Sequence, residues 1–227
     1  MTNELPSKLP SVEDIRLFRG KVIRWFNKNK RNYPWRETRD PFKVLIAEMM
    51  LRRTKADQVK AVYDRLFAEY PDVEAIAKAE DKKLEQILYP LGLKWRTPAF
   101  SLVAREVREK YQCKLPETRE ELTALPGVGE YVAGAVLSVA YGKKEWIVDS
   151  NIVSLFRRYF GIKTSKQIPY LTCFSFMKKK DIIHAEFLLF SEEIQNKHHP
   201  RFDKNLIDPS QEYTGRDDIS GRAVTHD

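Results

Sequence analysis

Two glycines between two helical patterns constrain this chain more than any other feature. Residues 125–130 read LPGVGE and separate an amphipathic helical run from a run of apolar and small residues that begins at Tyr131. Such a hairpin leaves backbone N–H groups bare at the N-terminus of the second helix, where unpaired donors and the helix dipole attract phosphate. Taken alone, the pattern favours an ordinary turn between two helices. The candidate phosphate contacts are Leu125, Gly127, Val128 and Gly129.

The net charge favours a polyanionic partner. Lysine and arginine number 40 against 32 aspartates and glutamates, which gives a net charge of +8. This excess does not distinguish DNA from RNA or from an acidic protein surface. No apolar run approaches the length that spans a membrane, and we expect no signal peptide. The two cysteines, Cys113 and Cys173, form no CxxC motif, which indicates a reducing compartment and a cytoplasmic protein.

Helical periodicity runs through most of the chain without strand-type alternation, so the sequence predicts an all-α fold of about ten helices. Residues 29–40 contain a proline and two aromatic residues and are predicted to form a loop. Residues 42–67 predict two helices, and Thr54 or Asp57 is the expected cap of the second. Further helices are predicted at 12–28, 72–79, 82–90, 97–111, 152–160, 168–180 and 181–196, with a polar tail from residue 202.

A lone carboxylate, Glu48, lies within the otherwise apolar run VLIAEMML. Burial of a carboxylate in such a helix is costly, so the side chain either lines a pocket or lies on the one solvent-facing stripe of the helix. Burial would also raise the pKa of Glu48, which suits a proton donor. Glu48 is therefore a candidate catalytic residue.

Three features together resemble a known family. They are the hairpin, the segment PWRETRDPFKVLIAEMMLRRT at residues 34–54, and Asp149, eighteen positions after Tyr131. This combination resembles the helix-hairpin-helix (HhH-GPD) DNA glycosylases, the superfamily of endonuclease III and the MutY-type adenine glycosylases. The resemblance covers roughly residues 12–193, which is most of the chain.

The resemblance implies two helical domains with the active site in the cleft between them. We expect residues 29–150 to form a six-helix barrel domain that contains the hairpin, and residues 1–28 with 151–227 to form the second domain. Relatives usually hold an iron–sulfur cluster with four cysteines near the C-terminus, but residues 186–205 contain no cysteine, so we expect no cluster. The adjacent His198 and His199 lack the usual metal-ligand spacing, and no metal site is predicted. Whether a monovalent cation binds the hairpin carbonyls, as in several relatives, stays open.

The resemblance also assigns roles to three residues. Asp149 would stabilise the positive charge that develops on the sugar as the N-glycosidic bond breaks, or attack it transiently, and it is also placed to cap a following helix. Glu48 would assist departure of the base. Tyr131 stands where strand-cleaving relatives typically have a Schiff-base lysine, so we expect a monofunctional enzyme that leaves an abasic site.

The substrate prediction depends on two neighbouring arginines. Arg52 and Arg53 stand where MutY-type enzymes typically have two glutamines, and an arginine pair resembles the G·T-mismatch thymine glycosylases. Such arginines either read the N7 and O6 edge of an orphaned guanine or contact only phosphate. We therefore expect removal of thymine or uracil opposite guanine. Two alternatives stay open: MutY-like removal of adenine opposite guanine or 8-oxoguanine, and a non-catalytic DNA-binding module.

Leu93 and Lys94 lie where relatives carry a wedge loop, and an apolar side chain there would fill the gap left by a flipped base. The alternative is a surface turn with Trp95 in the core. The expected partner is double-stranded DNA with a mismatched or damaged base. We expect a monomer that acts in the cytoplasm, at the nucleoid of a prokaryotic-type cell.

Overall fold

The computed structural model describes residues 11–92, 94–143, 145 and 147. These residues form α-helices and 3-10 turns without any strand, which confirms the predicted all-α fold. The 3-10 turns Tyr89–Leu91 and Lys94–Arg96 lie between α6 and α7. In this part of the chain, no helix has both the length and the hydropathy needed to cross a bilayer. The helices are α1 (Val12–Asn29), α2 (Pro34–Glu37), α3 (Pro41–Leu51), α4 (Ala56–Glu69), α5 (Val73–Lys78), α6 (Asp81–Leu88), α7 (Thr97–Tyr111), α8 (Arg119–Ala124) and α9 (Glu130–Val139).

The two most completely buried helices, α3 and α9, pack against each other. Every residue of α3 from Val44 to Leu51 is buried, and so is every residue of α9 from Val132 to Val139. A helix that is apolar on all sides belongs in the interior of a fold. The small residues of α9 let neighbouring helices approach its backbone closely. The helix that carries Glu48 is therefore fixed against the helix that follows the glycine hairpin.

Side-chain caps begin several of these helices. The Asp40 carboxylate accepts hydrogen bonds from the backbone N–H groups of Phe42 (2.9 Å) and Lys43 (3.2 Å) at the start of α3. Asp72 and Thr118 cap α5 and α8 in the same way. Each bond satisfies a donor for which the first turn of a helix has no intrahelical acceptor.

The predicted cap of α4 is wrong. Lys55 is the N-cap residue, and its side chain makes no capping hydrogen bond. The Asp57 carboxylate instead accepts hydrogen bonds from Arg31 and from the Tyr33 hydroxyl, the latter at 2.8 Å. The Thr54 hydroxyl donates to a carbonyl of the first 3-10 turn at 3.3 Å. Both candidate caps are thus engaged in tertiary contacts, which a local sequence pattern does not reveal.

Residues 29–40 do not form the continuous loop that the sequence predicted. Pro34–Glu37 form the single turn of α2, with proline at its first position, where a missing N–H has no cost. The ring of Trp35 stacks on Tyr33 with a centroid distance of 4.7 Å and meets Tyr63 of α4 edge-on at 5.5 Å. The helical turn therefore forms because it buries Trp35 among aromatic rings from distant positions.

The first helix has a buried face of its own. Its four buried apolar residues are not part of the core that residues 33–147 form; they are Phe18, Val22, Trp25 and Phe26. The Arg36 guanidinium lies 5.9 Å from the centroid of the Phe26 ring and links α1 to α2. The division into a domain of residues 29–150 and a second domain stays a prediction, because the helices predicted from residue 152 onward lie outside the described residues.

Asp40→Ala is expected to destabilise the fold by about 1 kcal/mol, because both N–H groups that it caps at the start of α3 lose their acceptor. Equilibrium unfolding in urea measures the change. The matched control is Asp64→Ala on α4, which removes an exposed pair with Lys60 and should cost less than about 0.5 kcal/mol. Equal losses in the two variants would contradict the capping role of Asp40.

Candidate active site and nucleic-acid interface

The hairpin between α8 and α9 separates buried side chains from exposed backbone. Leu125 and Val128 are buried, and the Val128 N–H donates to the Leu125 carbonyl at 3.1 Å. Gly127 and Gly129 are exposed. Gly129 is the N-cap of α9 and supplies no side chain to cap it. The two apolar side chains therefore anchor the hairpin in the core, while the glycines present its backbone to solvent.

Gly127 rests against two other helices. Its φ of +76° lies in the left-handed region, and a Cβ at this position would stand 2.9 Å from the Ala99 Cβ and 3.3 Å from the Met49 Cε. Its carbonyl accepts a hydrogen bond from the Arg52 guanidinium at 3.2 Å. The hairpin is therefore held against the C-terminal end of α3 and the beginning of α7, and only glycine fits at the contact.

Glu48 lies on α3, one residue before Met49. Its side chain is 2% exposed, so the alternative of a glutamate on a solvent-facing stripe of the helix is excluded. A buried carboxylate costs free energy because it loses its hydration. A protein keeps such a group where neighbouring groups offset that cost or where function requires it. The structure thus places the predicted catalytic glutamate on the same helix as Met49, whose side chain lies against the hairpin.

Tyr131 lies in the first turn of α9 and is partly buried against the core. Because α9 packs on α3, Tyr131 and Glu48 belong to the same helix pair. Asp149 and Leu93 lie outside the described residues, so their predicted roles stay predictions.

Arg119, the first residue of α8, joins three segments around this helix pair. Its guanidinium donates to the Glu130 carbonyl at 2.9 Å and pairs with the Glu130 carboxylate at 3.1 Å. It also pairs with Glu145 at 2.6 Å, and its side chain is 14% exposed. Arg119 thereby ties the beginnings of α8 and α9 to the segment that precedes Asp149. The sequence motifs did not indicate this residue, because its partners are 11 and 26 positions away.

Three arginines converge beside the hairpin. Arg52 and Arg53 follow α3 and are exposed, and Arg53 has a left-handed backbone with φ +63°. The Arg96 guanidinium donates to the Arg52 carbonyl at 2.6 Å. Burial lowers the pKa of Arg96, and the neighbouring charges of Arg52 and Arg53 lower it further. The sequence identified the first two arginines but missed Arg96, whose proximity depends on the turn before α7.

The turns before α7 carry exposed aromatic rings. Trp95 is 70% exposed and Tyr89 is 61% exposed, so the alternative that placed Trp95 in the core is wrong. The Lys94 ammonium lies 5.1 Å from the centroid of the Tyr89 ring, and the Arg96 guanidinium lies 6.0 Å from that of Trp95. Lys94, a predicted DNA contact, is therefore at the surface beside an aromatic side chain.

The described residues hold no group of three or more histidine, cysteine, aspartate or glutamate side chains suited to a metal ion. Cys113 is a free thiol that contacts the Glu74 carboxylate at 3.4 Å. The predicted absence of an iron–sulfur cluster rests on residues 186–205, which are outside the described part, and it stays a prediction. Whether a monovalent cation binds the hairpin carbonyls also stays open. One of these carbonyls, that of Gly127, accepts a hydrogen bond from Arg52.

Comparisons with known proteins agree with this geometry. The family described as "HhH-GPD superfamily base excision DNA repair protein" matches residues 46–172. The chain is 38% identical to a thymine/uracil-DNA glycosylase of Methanothermobacter thermautotrophicus over 64% of its own length and 66% of that protein. It is 33% identical to a thymine-DNA glycosylase of Aeropyrum pernix, over 69% of its own length and 71% of that protein. The solved structure of a thermostable thymine-DNA glycosylase superimposes with a TM-score of 0.72 at 31% identity, covering 83% of this chain and 89% of that chain.

Gly127→Ala is expected to lower the free energy of unfolding by about 1–3 kcal/mol, because alanine is strained at φ +76° and its Cβ would crowd Ala99. Gly129→Ala is the matched control, since its φ is −108° and nothing lies within 4 Å of an added Cβ. Thermal unfolding of both variants measures the difference. A Gly127 variant as stable as the Gly129 variant would show that the hairpin does not rest on α3 and α7 as described.

Proposed function

The chain belongs to the HhH-GPD superfamily of base excision DNA repair proteins and is a DNA glycosylase, and from that premise we propose that its substrate is thymine or uracil mispaired with guanine in double-stranded DNA. The observation that carries the proposal is the arginine pair, Arg52 and Arg53, exposed at the end of α3 beside the hairpin. The names of the relatives from Methanothermobacter thermautotrophicus and Aeropyrum pernix support the same substrate class.

In the proposed reaction, the target nucleotide leaves the duplex and enters a cleft beside α3 and α9. The N-glycosidic bond breaks, and its electron pair leaves with the base. Glu48, buried within α3, assists that departure by hydrogen bonding or proton donation. Asp149 stabilises the oxocarbenium-like sugar, and water completes the hydrolysis. Because Tyr131 cannot form a Schiff base with the sugar, the DNA backbone stays intact.

The two arginines have different proposed roles in binding the DNA. Arg52 donates to the Gly127 carbonyl, so its guanidinium is held against the hairpin, where DNA phosphates are expected. Arg53, at the exposed turn that follows, is the stronger candidate for a bidentate contact with N7 and O6 of the guanine that loses its partner. Such a contact would favour guanine over adenine opposite the excised base.

An oligonucleotide incision assay tests the proposed substrate. Wild-type protein is incubated with G·T, G·U, A·U, A·G and A·8-oxoguanine duplexes, and each reaction is analysed with and without hot alkali, which breaks abasic sites. We expect cleavage of the thymine- or uracil-containing strand opposite guanine, and only after alkali. Cleavage confined to adenine-containing strands would support the MutY-like alternative, and no cleavage of any duplex would support a non-catalytic DNA-binding module.

Replacing Arg52 and Arg53 together by glutamine should reduce the preference for G·U over A·U by about tenfold, because a bidentate guanine contact contributes about 1–3 kcal/mol to discrimination. Single-turnover rates on the two duplexes measure the ratio. The double variant Arg65→Gln with Lys82→Gln, on exposed positions of α4 and α6, removes the same charge and should leave the ratio unchanged. A parallel loss on both duplexes would show that the arginines contact only phosphate.

Asp149→Asn should slow base release by roughly 10²–10³-fold, because the amide keeps the shape of the carboxylate but loses the charge that faces the developing cation. Single-turnover base release is measured beside the affinity for a duplex with an uncleavable abasic analogue, which should stay within about threefold of wild type. Glu85→Gln, at an exposed position of α6, provides a control for the loss of one negative charge and should leave base release unchanged. Activity of the Asp149 variant within tenfold of wild type would show that Asp149 is not catalytic.

A further inference from the structure

The segment that follows α9 is joined to the segment that precedes α8 by three side-chain contacts in one register. Residues 141–145 and 115–119 supply alternate positions to these contacts. The pairs are Tyr141 with Leu115, Lys143 with Glu117, and Glu145 with Arg119. In every pair the two residues are 26 positions apart. The two segments therefore run side by side in the same direction, and the three contacts fix how far one is shifted along the other.

The first two contacts end on backbone carbonyls of the segment that precedes α8. The Tyr141 hydroxyl donates to the Leu115 carbonyl at 2.6 Å, and the Lys143 ammonium donates to the Glu117 carbonyl at 2.6 Å. Burial raises the pKa of Tyr141 to about 12, so the hydroxyl keeps the proton that it donates. A backbone carbonyl cannot turn away as a flexible side chain can. The start of the segment after α9 is thus held against atoms that have little freedom to move.

The third contact is the most enclosed of the three. Two nitrogens of the Arg119 guanidinium approach one carboxylate oxygen of Glu145, at 2.6 and 3.2 Å, and the two side chains are 14% and 26% exposed. Arg119 also donates to the Glu130 carbonyl at the beginning of α9, at 2.9 Å. An ion pair with so little exposure is weakly screened, but desolvation offsets much of its attraction, so its net stabilisation is small. Its clearer effect is to restrict the geometry of the segment that carries Glu145.

The restricted segment leads directly to the proposed catalytic aspartate. Ile147, two positions after Glu145, is 3% exposed and belongs to the apolar core. Asp149 follows two positions later and lies outside the described residues. Because two residues of chain span at most about 7 Å, the anchors at Glu145 and Ile147 restrict where the Asp149 carboxylate can lie.

We propose that Arg119 and Glu145 are positioning residues for the reaction, which hold the chain so that the Asp149 carboxylate faces the sugar as the N-glycosidic bond breaks. The inference rests on the proposed function, because that reaction places a developing positive charge opposite Asp149. Neither residue contacts the base or the sugar in this role, and both act only through Asp149. A misplacement of about 1 Å in a reacting group can slow an enzyme by about a hundredfold, so a pair of this kind affects the rate from outside the site.

Single-turnover base release tests the proposal on a mismatched duplex that wild type cleaves. Arg119→Gln and Glu145→Gln should each slow base release by about tenfold to a hundredfold. Both variants should bind a duplex with a tetrahydrofuran abasic analogue within about threefold of wild type, because the lost interaction matters only in the transition state. Arg119→Lys should recover most of the loss, since its ammonium keeps a positive charge for Glu145.

The Asp149→Asn background separates positioning from a general effect on the fold. If Arg119 acts only through the Asp149 carboxylate, Arg119→Gln should slow the Asp149→Asn protein by less than about twofold. The same holds for Glu145→Gln. A residue with a purely structural role would slow the two backgrounds by the same factor, and that result would overturn the proposal.

Arg105→Gln is the matched control for loss of a bridging arginine. Arg105 on α7 likewise pairs with a carboxylate, that of Asp81 at 2.8 Å, and donates to a backbone carbonyl, that of Ala77 at 3.3 Å. Its loss should leave base release unchanged. If Arg119→Gln does not fold, Glu145→Gln and Arg119→Lys, each with and without Asp149→Asn, decide the question.

Amide hydrogen exchange supplies a measurement that needs no substrate. Peptides from residues 143–150 should exchange faster in Arg119→Gln and Glu145→Gln than in wild type, whereas Arg105→Gln should leave their exchange unchanged. Unchanged exchange in these peptides, or base release by both glutamine variants within about twofold of wild type, would overturn the proposal. If wild type instead releases adenine, the proposed substrate fails, but the ratios between the variants still test the positioning pair.

Discussion

The contact of the Gly127 backbone with the side chains of α3 and α7 is the constraint on which the rest of the site depends. A Cβ at this position would stand 2.9 Å from Ala99 and 3.3 Å from Met49, so the close approach requires glycine. The contact fixes the exposed hairpin to the helix that carries Glu48, and the Arg52 bond to the Gly127 carbonyl continues it toward the surface. One close backbone approach thus links the hairpin that is proposed to bind phosphate, the helix of the buried carboxylate and the arginine pair.

Apolar packing stabilises the pair of α3 and α9, whereas the charged groups of the site lie mainly at the surface beside it. The pair of α3 and α9 is held by apolar burial and contains one buried carboxylate, Glu48, whose low exposure keeps it away from bulk water. Outside that pair, burial lowers the pKa of Arg96, and the charges of the two neighbouring guanidiniums, Arg52 and Arg53, lower it further. A fold does not gain stability from such a cluster. Binding of a DNA strand would offset the repulsion, which supports the proposal that the cluster and the hairpin belong to one interface.

The sequence predicted those features that local chemistry determines. The glycine hairpin and the small-residue helix after it follow from turn residues and from the run of apolar positions. For Glu48, the sequence left open a position on a solvent-facing stripe, and only the structure shows that the side chain is buried. The sequence did not predict α2 or the cap of α4, because Trp35 and Asp57 are positioned by rings and cations from distant parts of the chain. Arg96 and the exposure of Trp95 were missed for the same reason. Short-range patterns cannot show which turns meet in space.

The proposed function is the release of thymine or uracil opposite guanine from DNA that is bound at this helix pair and hairpin. The most direct measurement identifies the free base that wild-type protein liberates from G·T and G·U duplexes, by mass spectrometry of the small-molecule fraction, together with the length of the treated strand before alkali. The proposed function predicts free thymine or uracil and a strand of unchanged length. Detection of adenine alone from mismatched duplexes, or of a strand cut without alkali, would contradict it.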